Sequence, residues 1–121
     1  NRLEAQALCG SPVDTDESIE QAARWLHARG VQQVIVSLGE RGVYWSDKDA
    51  GDGWQHALVA EVVNVTGAGD ALMAGVVHGF LNHQTLPDAI PFAMGCAALT
   101  VTSALANHPS LSVVSVEQLL R

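Results

Sequence analysis

The 121-residue chain carries thirteen Asp and Glu against six Lys and Arg, a formal net charge of −7, and is 48% hydrophobic. That is enough apolar chain for one modest core, and the lack of any Lys or Arg cluster argues against nucleic acid as a partner. A polyanionic ligand would need a local device, either converging backbone N–H groups or a metal ion, because the bulk charge repels it.

Cys9 and Cys96 stand far apart and outside any CxxC pair. This argues against a zinc knuckle or a disulfide framework and for a reduced, cytoplasmic setting. No membrane partner is expected, since the longest apolar run, Ala97 to Ala106, is interrupted by Thr100, Thr102 and Ser103 and is too short to cross a bilayer. Asn1, Arg2 and Glu4 occupy the place where a signal peptide would build its apolar core. The chain opens without Met and is expected to be a piece of a longer protein.

Arg2 to Cys9 reads as a short helix stopped by Gly10, and Asp14 to Asp16 offer caps for a longer helix from Glu17 to Arg29. In that helix Ile19, Ala22, Ala23 and Leu26 recur at helical spacing ahead of Gly30. Gln32 to Leu38 is a short β-branched run suited to a buried strand, and Gly39 to Arg41 separate it from a second strand, Gly42 to Ser46. Asp47 to Gly53 reads as a loop, and strand character resumes from Trp54 to Val63. Helices follow at Gly69 to Asn82, Pro87 to Ala104 and, after a break at Asn107 to Ser110, Ser115 to Leu120. This order predicts an α/β fold with helices available for both sides of a sheet.

The chemistry concentrates in "TGAGDA", Thr66 to Ala71. Its glycines allow a tight turn and close backbone approach. A helix beginning there would present the N–H groups of Ala68, Gly69 and Asp70 at its positive end, the local anion device that an acidic chain needs. Asp70 has two readings. As an isolated Asp before a helix it is an N-cap; beside an anion hole it can accept the proton of a substrate hydroxyl as that oxygen attacks phosphorus. Thr66 already serves loop hydrogen bonding and capping needs no Gly-x-Gly, which weighs toward the second reading.

Competing motifs fail: there is no P-loop, and Leu72 stands where a dinucleotide fingerprint needs its third glycine. Gly75 and Gly79 read as helix-packing positions rather than ligand contacts. The five histidines show no metal-ligand spacing, and Trp25, Trp45 and Trp54 read as packing residues.

"VNVTGAGDALMAGVVHGFL", Val63 to Leu81, resembles the C-terminal signature of the ribokinase-like (PfkB) family of carbohydrate and nucleoside kinases. "VIVSLGERGVYW", Val34 to Trp45, is similar to that family's nucleotide-binding strand-turn-strand, and "NRLEAQALCG", Asn1 to Gly10, to its N-x-x-E segment. The resemblance implies the C-terminal, ATP-binding part of a layered α/β fold, with helices packed on a mostly parallel central sheet. The N-terminal half that grips the sugar and forms a lid would be absent.

Carried residue by residue, the resemblance implies Asp70 as the base and Gly67, Ala68 and Gly69 as the anion hole. Ser37, Gly39 and Gly42 would lie along the ATP phosphates and ribose. Asn1 and Glu4 would act near Mg²⁺, Glu4 through water. Met94, Ala98 and Asn107 would neighbour the adenine. Many members have an aspartate at the position of Asn64 that helps bind a monovalent cation; Asn keeps a carbonyl and removes the charge, implying at most a weaker site with Thr66.

The expected function is transfer of a phosphoryl group from ATP to a hydroxyl of a small-molecule sugar or nucleoside, with the 121-residue piece alone a poor catalyst. A homodimer is a further expectation for the full-length protein. The alternative is a truncated nucleotide-binding or structural remnant that keeps the fold and does no chemistry.

Overall fold

A helix is favoured to begin where a side chain can satisfy its first unpaired N–H groups. In the computed structural model, which describes residues 1–121, Asn1 and Glu4 form a reciprocal capping box at the start of α1 (Arg2–Cys9), and Gly10 ends that helix in the left-handed region. Thr15 and Ser18 do the same for α2 (Asp16–Ala28), one residue earlier than expected because Thr15, not an aspartate, supplies the capping oxygen. Three strands follow, β1 (Gln33–Ser37), β2 (Val43–Asp47) and β3 (Gly51–Gln55).

All three strands pair antiparallel in the order β1-β2-β3, with Ile35 opposite Trp45 and Trp45 opposite Gly53. The mostly parallel sheet expected from the family resemblance is therefore not what these residues build. The connections explain why: Leu38 to Gly42 and Lys48 to Ala50 are far too short for the crossover that parallel neighbours require.

The β2–β3 hairpin also corrects the expected loop and the strand from Trp54 to Val63. The Asp47 carboxylate accepts the N–H groups of Asp49 and Ala50 at 2.8 and 3.1 Å, turning the chain at once, so β3 starts inside the supposed loop. These backbone N–H groups and the Gln33 amide hold the Asp47 carboxyl below its ordinary range. Residues 57 to 67 form no strand despite their β-branched composition, and Val59, Val62 and Val63 are exposed.

Residues Asn1–His56 form one compact unit and Ala57–Arg121 a second, in place of a single core. In the first, Ala5, Val13, Ile19, Ala22, Ala23, Val34, Val36 and Tyr44 pack together. The second is helical: α3 (Ala68–Leu81), α4 (Leu86–Val101) and α5 (Val113–Leu120), the last capped by Ser112 and Ser115. Ala71, Cys96 and Val116 form a buried cluster among these helices, with Phe92, Leu99 and Leu111 against it. α4 stops at Val101, short of the expected Ala104, because the Val101 carbonyl accepts the N–H groups of Val63 and Asn64. No helix is long and apolar enough to cross a membrane.

Candidate active site

Gly67 caps α3 with φ 83°, ψ −4°, a left-handed conformation that suits glycine. A Cβ here would also overlap the carbonyl oxygen of Ala106, so both conformation and space restrict the position to glycine. No side chain caps the helix, and Asp70 lies in its first turn, three residues beyond the cap. The simple capping role for Asp70 is thereby removed. Asp70 is exposed and takes part in none of the three ion pairs.

The backbone in front of Asp70 is less uniform than the sequence implies. Ala68 donates its N–H to the Val65 carbonyl at 3.3 Å, and Ala71 donates to Gly67 at 2.9 Å. The N–H groups of Gly69 and Asp70, between them, are directed to no backbone acceptor outside the helix. These two donors, at the positive end of a fourteen-residue helix, are what an anion would meet. A Cβ at Gly69 would meet nothing within 4 Å, leaving the approach open.

Asn64 braces this loop. Its Oδ1 accepts the Thr66 N–H at 3.0 Å and its Nδ2 donates to the Ala104 carbonyl at 3.2 Å. Because the Thr66 N–H can only donate, the amide orientation is fixed by its partners. The last residue of α4, Val101, and Ala104 and Ala106 after it thus line the loop before α3, and Asn107 follows directly. These carbonyl partners carried no signal in the sequence, since a backbone oxygen some forty residues away leaves no motif. Met94 and Ala98 are buried, four apart on α4.

In the first unit, Ser37 ends β1, and Gly39 opens a single 3-10 turn, Gly39–Arg41. Gly42, at φ 96°, ψ −132°, returns the chain into β2, its carbonyl accepting the Leu38 N–H at 2.8 Å. The structure therefore brings Ser37, Gly39 and Gly42 together at one end of the hairpin. At α1, Glu4 Oε2 accepts from the Asn1 backbone nitrogen at 2.6 Å and Asn1 Oδ1 accepts the Glu4 N–H at 3.0 Å. Both residues do structural work there, and no group of three or more His, Cys, Asp or Glu is gathered to hold a metal.

The family model for pfkB family carbohydrate kinases matches residues 1–112. The chain belongs to that family. It is 36% identical to the pseudouridine kinase of Escherichia coli (strain K12) over 120 residues, 99% of this chain and 38% of that protein. It is 31% identical over 114 residues to the 1-phosphofructokinase of Haemophilus influenzae, 94% of this chain and 36% of that protein. Among solved structures, Arabidopsis thaliana ribokinase complexed with ribose and ATP superposes with a TM-score of 0.91 at 32% identity, covering all of this chain and 39% of that one. The chain thus has the fold of a ribokinase segment and spans under two fifths of these relatives' lengths.

Proposed function

We propose that the chain is the nucleotide-side portion of a kinase that transfers the γ-phosphoryl group of ATP to a hydroxyl of a sugar or nucleoside. One observation carries this reading: in a pfkB family chain, Gly69 and Asp70 offer unpaired N–H groups in the same helical turn that presents the Asp70 carboxylate without an ion-pair partner. Asp70 would accept the acceptor hydroxyl's proton as its oxygen attacks, while the two N–H groups meet the charge gathering on the transferring group. Ala68, with its N–H taken by Val65, would contribute shape rather than a hydrogen bond.

Ser37, Gly39 and Gly42 would receive the phosphates and ribose, their turn being held by the Leu38–Gly42 hydrogen bond. Asn107 would flank the adenine, with Met94 and Ala98 supporting that wall from within α4. Mg²⁺, when bound, would neutralise phosphate charge; Glu4, a lone carboxylate already bonded to Asn1, suits contact through water rather than direct ligation. Asn64 uses both ends of its amide within the chain, and no step is routed through a monovalent cation. The likeness to pseudouridine kinase supports a nucleoside acceptor.

The test is coupled ADP release by the full-length protein with Mg-ATP against pseudouridine, ribose, adenosine and fructose. Turnover on one of them, reduced by about 10²–10⁴ in Asp70→Asn, is the expected result. ATP binding without ADP formation on any acceptor would replace the kinase with a nucleotide-binding remnant.

A further inference from the structure

We infer that Asn64 is a positioning residue that makes the loop before α3 and the loop after α4 move as one body. This rests on the kinase reading for its consequence, though not for its geometry. Three contacts join the two segments. Val63 and Asn64 donate their backbone N–H groups to the Val101 carbonyl at 2.8 and 3.1 Å. Gly67 packs on the Ala106 carbonyl so closely that no side chain fits between them. The Asn64 side chain is the third, and the only one a substitution can remove without touching the backbone: its amide reaches Ala104 on one side and Thr66 on the other.

The amide is the group that can do both jobs at neutral pH. A carboxylate of the same shape would accept from Thr66 but could not donate to the Ala104 carbonyl, and its charge would be repelled by that oxygen. A serine could still accept from Thr66 in a local turn, but it is too short to span to Ala104. Under the kinase reading, one segment supplies the anion-binding N–H groups and Asp70, while the other carries Asn107 beside the base. The tether therefore fixes the distance between the group that meets the phosphoryl end of the nucleotide and the group that meets its base end. Loss of the tether would leave each segment able to touch its part of the ligand, but not both in one geometry.

The experiment uses the full-length protein with Asn64→Ser and Asn64→Asp. In the first arm, amide hydrogen exchange is followed at Val63 and at residue 64, whose N–H groups donate to Val101, with the Val116 amide of α5 as internal reference. Loss of one net hydrogen bond predicts about fivefold faster exchange at the two loop amides in both variants and an unchanged rate at Val116. Unchanged loop exchange would overturn the tether.

In the second arm, β,γ-imido-ATP and AMP are titrated by calorimetry into the wild-type full-length protein and Asn64→Ser, which adds no charge. The positioning role predicts that imido-ATP weakens about fivefold more than AMP, because only imido-ATP spans both segments. Equal weakening of the two would reduce Asn64 to a merely structural residue and overturn the positioning role. If the wild-type full-length protein bound neither nucleotide, the kinase reading and the positioning role would fall together, while the exchange arm would still decide whether the tether exists.

Discussion

Gly67 rests against Ala106 with no room for a Cβ, and holds φ at 83°. Gly67→Ala is therefore expected to cost about 1 kcal/mol for the left-handed backbone and about 1–3 kcal/mol for the overlap, since a backbone carbonyl cannot swing aside as a side chain does. Gly69, two residues on, has open space and an ordinary helical position. Gly69→Ala should leave stability unchanged or raise it by up to about 1 kcal/mol. Urea unfolding of the two variants would decide the matter, and equal losses in both would refute the assignment of Ala106 as the obstacle.

Gly75 and Gly79 of α3 pack directly on α4. A Cβ at Gly75 would lie 2.5 Å from Ala93 Cα and 3.1 Å from Cys96 Sγ; one at Gly79 would lie 2.5 Å from Ala89 Cβ. Alanine in mid-helix normally gains about 1 kcal/mol over glycine. Here Gly75→Ala should instead lose about 1–3 kcal/mol, because Ala93 Cα belongs to a helix backbone that must move as a whole. A rise in melting temperature for Gly75→Ala would show that α3 and α4 can separate at no cost.

Those two glycines were legible as packing positions from their spacing of four, and so were the helices whose caps are local: Asn1 with Glu4, Thr15 with Ser18, Ser112 with Ser115. The loop around Asp70 was legible as chemistry because glycines and a carboxylate at a helix start have few other uses. What sequence could not supply was long-range. Val101 ends α4 by accepting from Val63 and Asn64, and Ala104 and Ala106 shape the loop through carbonyls that every residue owns. The strand expected from Trp54 to Val63 is met only at Trp54 and Gln55, which end β3; beyond them it misled because β-branched composition measures fitness for a pleated surface, and no strand of this chain pairs with residues 57 to 63. The hairpin came instead from the Asp47 side chain, whose two backbone hydrogen bonds turn composition that looked like loop into β3.

Tyr44, buried in the first unit, donates its hydroxyl to Asp52 Oδ2 at 2.8 Å. Burial first, and the Asp52 carboxylate next, push its ionisation from 10.0 up to about 12. The unfolded chain then releases this proton at lower pH than the folded one. The stabilisation is complete below pH 10 and is lost as pH rises from 10 toward about 12. Tyr44→Phe should cost about 1 kcal/mol at pH 7 for the lost hydrogen bond and should show a shallower fall between those limits than the parent chain. Parallel stability curves for parent and variant across that interval would assign the alkaline loss to other groups.

Thr100 is fully buried in α4, and its hydroxyl oxygen has no hydrogen-bond partner. Burying an unpaired hydroxyl is unfavourable, whereas its methyl group and β-branched shape pack as valine would. Thr100→Val keeps the volume and removes the unpaired group, so it should stabilise the chain by about 1 kcal/mol, a rise of about 3–5 °C in melting temperature. Thr102 provides the contrast: it is exposed and its hydroxyl donates to the Leu99 carbonyl at 2.7 Å, so Thr102→Val should bring no gain. Thr100→Ala, which removes the hydroxyl and leaves a cavity, should lower the melting temperature. If Thr100→Val fell alongside Thr100→Ala, the hydroxyl would have to be satisfied in solution by a bound water, and its burial would count toward stability rather than against it.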